Sequence, residues 1–211
     1  MNIMKVVLIL FIFVSCQQNG KIKIENNSIS NLLEQSLQQD SLEFSEWKIN
    51  DSNFLFFKAG NFLLENQKNA LVIQSYNDSS YFLEFYVEQD NKWTKATFLD
   101  SISVNPMQFD LSFNDFNFDG NNDIYVQTNM SNGSGISSGL IFTQINQKIE
   151  FNEVLSYLGN LRIDSKQKLI FSEEVVFCKS DGQKEICTTS YKWEKKTLKV
   201  IKVDCPCELE F

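Results

Sequence analysis

Asp115-Phe116-Asn117-Phe118-Asp119-Gly120-Asn121-Asn122-Asp123 is the stretch of this chain with the most specific chemical spacing. It has the form D-x-N-x-D-G-x-x-D. In a calcium loop, side-chain oxygens come from positions 1, 3 and 5 and a main-chain carbonyl from position 7. A Gly at position 6 permits the sharp turn. Those places fall on Asp115, Asn117, Asp119, Asn121 and Gly120, with Asp123 at position 9 able to bind directly or through water. Three carboxylates this close repel one another unless a cation lies among them. Calcium is therefore the expected cofactor. Position 12 is Val126 rather than a bidentate Glu. The shortened ligand set predicts weak binding, on the order of 10⁻⁴ to 10⁻³ M.

The residues between the ligands fit that reading. Phe116 and Phe118 alternate with Asp115, Asn117 and Asp119. In extended backbone that spacing puts rings on one side and oxygens on the other. Phe109, Leu111 and Phe113 lead into the loop, and Ile124-Tyr125-Val126 leads out as a strand. The loop resembles the calcium loops of FG-GAP and integrin-type β proteins, which lie between strands.

The five cysteines divide into one and four. Met1 to Lys5 carries one positive charge, and an unbroken apolar run follows from Val6 to Val14. The run is shorter than the roughly 20 residues of a membrane-spanning helix. It fits a secretory signal over residues 1–15. Phe13-Val14-Ser15-Cys16 resembles the lipobox of bacterial lipoproteins, with Phe13 where Leu is usual. The resemblance implies a lipid-modified Cys16 and several acyl chains, a firm anchor. Gln17 rather than Asp follows, which implies the outer membrane, facing the periplasm. Membrane contact is expected through the anchor only. Cys178, Cys187, Cys205 and Cys207 then form an even set, read as disulfides in an exported chain. Cys178 and Cys187 flank a polar turn and would pair across it. The alternative joins Cys187 to Cys205 and Cys178 to Cys207.

Composition excludes several function classes. The chain has 211 residues, a formal charge of −8 and no His. Loss of Lys5 with the signal makes the mature chain one unit more negative. Arg162 is the only Arg, so the basic patches that hold nucleic acid are absent and no nucleic-acid partner is expected. Without His, Ser-His-Asp and Cys-His catalysis are excluded. A hydrolase built on paired carboxylates would have to use Asp115, Asp119 and Asp123, which calcium ligation explains better. The chain reads as a non-enzyme.

The elements that must position the loop are mostly strands. Phe dominates the aromatics, Pro is scarce and β-branched residues are common. Residues 16–27 read as a polar tether and 28–211 as one domain. A helix is predicted over 28–39, with Ile29, Leu32, Leu33 and Leu37 on one face and Ser28 or Asn31 as its cap. Strands are predicted over 53–59, 70–76, 81–89, 92–99, 107–113, 123–129, 140–146, 149–155, 174–179, 185–193 and 197–204. Turns are predicted at 77–80 and 90–91. The fold class is mainly β: a single antiparallel β-sandwich or barrel-like domain with one short N-terminal helix.

After the strand from Asp123 comes Ser131-Asn132-Gly133-Ser134-Gly135-Ile136-Ser137-Ser138-Gly139. An F-D-G-x-x-D loop, a strand and a Gly/Ser stretch together resemble periplasmic lysozyme-inhibitor-type immunity lipoproteins. That resemblance implies a β-sandwich with an EF-hand-like calcium loop. It also implies a peptidoglycan hydrolase or lysozyme as partner. Some such inhibitors insert an S-G-x-x-Y loop into the enzyme's cleft. Here Ser134, Gly135, Ser137 and Ser138 would make the contact, with Ser138 where Tyr would stand. The competing expectation is a calcium-stabilised glycan-binding or envelope-assembly lipoprotein, with Trp47, Trp93 and Tyr86 as candidate contacts.

Overall fold

The computed structural model describes residues 28–48, 53–64, 67–76, 80–146, 148–179 and 183–208. The signal segment, Cys16 and the tether lie outside the described residues, as does most of the turn expected at 77–80.

Helix α1 (Ile29–Leu37) begins at Ser28, whose Oγ accepts the Asn31 N–H at 3.3 Å. Leu32 and Ser36 are its buried residues, with Ile29 and Leu33 partly buried beside Leu32. The chain then forms three antiparallel meanders, each made of consecutive strands. The first sheet is β1 (Ser41–Lys48), β2 (Asn53–Gly60), β3 (Asn69–Ser75), β4 (Tyr81–Gln89) and β5 (Lys92–Ile102). The second is β6 (Asp110–Asn114), β7 (Asp123–Met130), β8 (Ser137–Ile145) and β9 (Lys148–Phe151). The third is β10 (Arg162–Asp164), β11 (Leu169–Phe177), β12 (Lys184–Glu194) and β13 (Thr197–Asp204).

Side-chain alternation stacks these sheets face to face. Leu71, Ile73, Leu83 and Phe85 of the first sheet meet Ile124, Val126, Leu140 and Phe142 of the second. Intervening residues of the first sheet, Ala70, Val72 and Phe57, pack under α1. Those of the second, Tyr125 and Ile141, meet Ile170, Tyr191, Trp193 and Leu198 of the third. Both inner sheets therefore bury two faces, which is why β3 reads as a nearly continuous apolar run. The result is a layered β-sandwich of open sheets rather than a closed barrel.

Several details differ from the sequence expectation; β5 runs on to Ile102, β6 begins only at Asp110 and β8 already at Ser137. β1 and β10 are additional strands. In β1, Leu42 and Phe44 point toward the helix, but Trp47 breaks the alternation and hides the pattern. β11 starts at Leu169 rather than 174, because the pair Glu173-Glu174 interrupts its apolar rhythm. The strand expected over 149–155 stops at Phe151, and the following turn buries Leu155 in the third core. The turn at Asp90 and Asn91 forms as expected, both residues taking left-handed φ of 51° and 58°.

The disulfides follow the alternative pairing. Cys178 bonds Cys207 and Cys187 bonds Cys205. The register explains the correction. Cys187 stands opposite Glu174, whereas the Cys178 N–H donates to Gln183. The two cysteines therefore miss each other across their own turn. The segment just past β13, which carries Cys205 and Cys207, lies alongside instead and receives both.

Candidate functional site

The nine-residue loop joins β6 to β7, with Asn114 paired to Asp123 at its base. Phe116 anchors it, 2 % exposed in the third core, and its carbonyl accepts the indole N–H of Trp193 at 2.9 Å. Phe118 packs against the same core, with a left-handed φ of 59°. The rings therefore turn inward and the oxygen-bearing side chains outward, through a curled rather than extended backbone. Gly120 takes φ 93°, a conformation L side chains rarely adopt.

The loop's oxygens fall into two groups. Asp115 receives the main-chain N–H of Asp119 on Oδ1 and that of Gly120 on Oδ2, at 3.0 and 2.9 Å. Asn117 Oδ1 also accepts from the Asp119 N–H, at 2.9 Å. Asp119 Oδ1 accepts from the Asn121 N–H and side-chain amide, and Oδ2 from the Asn117 amide. These four residues are partly or fully exposed. Asp123 differs from them. It is fully buried, with Oδ2 taking the Phe116 and Asn117 N–H groups at 2.9 and 3.2 Å and Oδ1 the Gln144 N–H at 2.9 Å. It thus ties the loop to β8. Burial pushes its carboxyl up to about 7, against the lowering effect of the three N–H donors and with a further push from the Asp119 charge.

The donor set is all oxygen, the chemistry that hard cations such as calcium take. Carboxylate oxygens that accept one hydrogen bond retain lone pairs for a cation. The same bonds also close an Asx-type turn with no cation at all. Among the described residues, no three His, Cys, Asp or Glu side chains form a metal-holding group by themselves. A site here would draw on Asp115 and Asp119 together with amide and main-chain oxygens.

The Gly/Ser stretch is a tight turn between β7 and β8. Ser131 N–H donates to the Ile136 carbonyl and Gly135 N–H to the Ser131 carbonyl, both at 2.8 Å. Only Ser134 and Gly135 of the predicted contact residues lie in this turn. Ser137 and Ser138 are already in β8, and the Ser137 N–H and hydroxyl are bound to Asn160 Oδ1. Ser131, Gly133 and Ser134 form one wall of a groove of ≈ 550 Å³. The opposite wall is the cross-strand pair Val175–Ile186, with Lys184 and Glu185 beside it. Its apolar residues come from a hairpin about 40 residues downstream, so no local spacing signals them.

No protein-family profile, curated protein or solved structure matches the chain.

The Asp loop and the Gly/Ser turn sit at opposite ends of β7. Its eight residues put them about 25 Å apart, so a cation in one cannot brace the other by contact. The aromatic residues considered for glycan contact are engaged as well. Trp93 donates its indole N–H to the Leu33 carbonyl beneath α1, and the Tyr86 hydroxyl donates to Glu84. The Trp47 side chain lies outside the described residues.

Proposed function

We propose that this chain is a calcium-stabilised outer-membrane lipoprotein, anchored through Cys16 and facing the periplasm, that binds and inhibits a peptidoglycan hydrolase. The observation that carries the reading is the groove between the Gly/Ser turn and the Val175–Ile186 pair. A turn of small residues closed by its own main-chain bonds offers a narrow, preordered wedge, which loses little conformational entropy on docking. The apolar pair beside it supplies area to bury. The net acidic charge suits a basic enzyme surface. Two disulfides accord with an oxidising compartment.

Calcium would be held by Asp115, Asn117, Asp119 and the Asn121 carbonyl, with water completing the shell. Asp123 holds the loop from behind. The ion stabilises the fold and leaves the wedge to its own hydrogen bonds. The test is titration of the purified protein against lysozymes of several classes, reading enzyme activity and complex formation. Inhibition is expected, and Gly133→Trp should weaken it without unfolding the domain, since Gly133 lines the groove, nothing lies within 4 Å of a Cβ there and its backbone is not left-handed. Chelation should lower stability while leaving inhibition in place. Absence of both inhibition and complex across the panel would favour the glycan-binding or assembly reading.

A further inference from the structure

We propose that the open edge of β13 takes up an extended acidic segment of a partner protein as a fifth strand of the third sheet. This surface is separate from the groove and does not depend on the inhibitor reading.

The geometry starts at the Cys187–Cys205 bridge, whose Cα atoms are 4.4 Å apart. That spacing marks a non-hydrogen-bonded antiparallel pair. Val203, two residues earlier and opposite Thr189, is of the same kind. Its N–H and C=O therefore point away from β12, toward the edge. Among the described residues nothing pairs with that edge. The strand is eight residues long, with Val200, Ile201 and Val203 all about half exposed. A long, apolar, unpaired edge is a template for another strand. At the other side of this sheet, β10 is only three residues.

Charge selects the occupant. Ser190 pairs with Lys202 and Lys192 with Lys199, so all three lysines stand on one face of the sheet. Lys192 and Lys199 are directly opposed, and among the described residues neither has a carboxylate within ion-pair distance. Lys202 reaches Asp204 at 3.1 Å. Like charges placed opposite one another destabilise a ladder, so this is a local positive stripe on a chain of net charge −8. A second copy of β13 pairing here would add its own lysines to the stripe, which disfavours self-association. A strand with acidic residues at alternate positions relieves the repulsion. Its intervening apolar residues would lie on the face of Val200 and Val203.

The experiment uses the disulfide-bonded chain and a labelled ten-residue peptide alternating Glu and Val. Two control peptides alternate Lys and Val, or carry the same Glu and Val residues in two blocks. Binding is read by fluorescence anisotropy and by amide exchange at Val203. The alternating acidic peptide should bind, slow exchange at Val203 and weaken with salt. Val203→Pro removes an N–H that faces the edge, a place where an edge strand tolerates Pro, and should weaken binding about tenfold, the effect of one or two lost hydrogen bonds. Lys192→Glu with Lys199→Glu should weaken it at least as much, and this variant leaves the ladder's main chain intact. Equal binding of the block peptide would reduce the effect to charge alone and overturn strand addition. So would no binding at millimolar peptide, unchanged exchange at Val203, or a dimer in sedimentation that Val203→Pro dissolves.

Discussion

Replacing Asp123 by Ala tests the joint between the loop and the second sheet. Its carboxylate holds the N–H groups of Phe116, Asn117 and Gln144, and the bonds from Phe116 and Gln144 are buried. A buried donor left without an acceptor costs about 1–3 kcal/mol, so two cost about 2–6 kcal/mol. Relief from burying the carboxylate offsets part of this. A net loss of about 3 kcal/mol is expected, a large share of a domain's usual 5–15 kcal/mol or so. The loss should depend on pH. Burial raises this acid from its ordinary 3.8 to about 7. A carboxyl that binds its proton more tightly when folded stabilises most at low pH. Its contribution declines as pH rises from about 4 to about 7, by at most about 1.4 kcal/mol per pH unit. The variant lacks that slope, so its deficit should be larger near pH 5 than at about pH 8. Urea unfolding in chelator, followed by tryptophan fluorescence, reads both quantities. A deficit under about 1 kcal/mol, or one equal at the two pH values, would refute the role given to Asp123.

Calcium at about ten times its dissociation constant should add about 1.4 kcal/mol, roughly 3–6 °C in Tm for a chain of this size, and Asp119→Ala should remove most of that rise by calorimetry. Replacing Cys178 and Cys207 by Ser opens a loop of 29 residues, and replacing Cys187 and Cys205 opens one of 18. Each should cost about 3–4 kcal/mol in urea unfolding. Non-reduced peptide mapping that returned a Cys178–Cys187 fragment would contradict the pairing. Cys16→Ser should release the protein from membranes, and unchanged attachment in a fractionation experiment would end the lipoprotein reading.

The sequence made the strand content legible wherever one face alternates cleanly, as in Tyr81, Leu83, Phe85 and Val87 of β4. It was silent where an element's partner is distant. The half-covered β1 shows Leu42 and Phe44 only once α1 is seen above them. Spacing found the Asp loop but could not separate its members. Asp123 looks like Asp119 in the motif, and only the approach of β8 with the Gln144 N–H makes it a buried brace. Trp193, which clamps the loop through Phe116, is 77 residues away along the chain. Turn composition invited a Cys178–Cys187 bridge, whereas hairpin register decides which residues face each other. The groove needed two hairpins from different sheets, and local patterning holds no signal for that.

Each sheet is built from strands consecutive in the chain, and no strand of one sheet is borrowed from another. Synthesis runs from the N-terminus, so the layers can be laid down in the order they emerge. The first sheet can close while the others are still extended, because its pairings are all between neighbours, the fast kind to form. All four of the later cysteines belong to the last layer. Pairing of the first two sheets therefore does not require oxidation, which bears on the last layer alone. A cell short of oxidant would accumulate a chain with two finished sheets and an unlatched third. In that species the second sheet's Tyr125 and Ile141 would be uncovered, the sort of surface that folding helpers and proteases recognise.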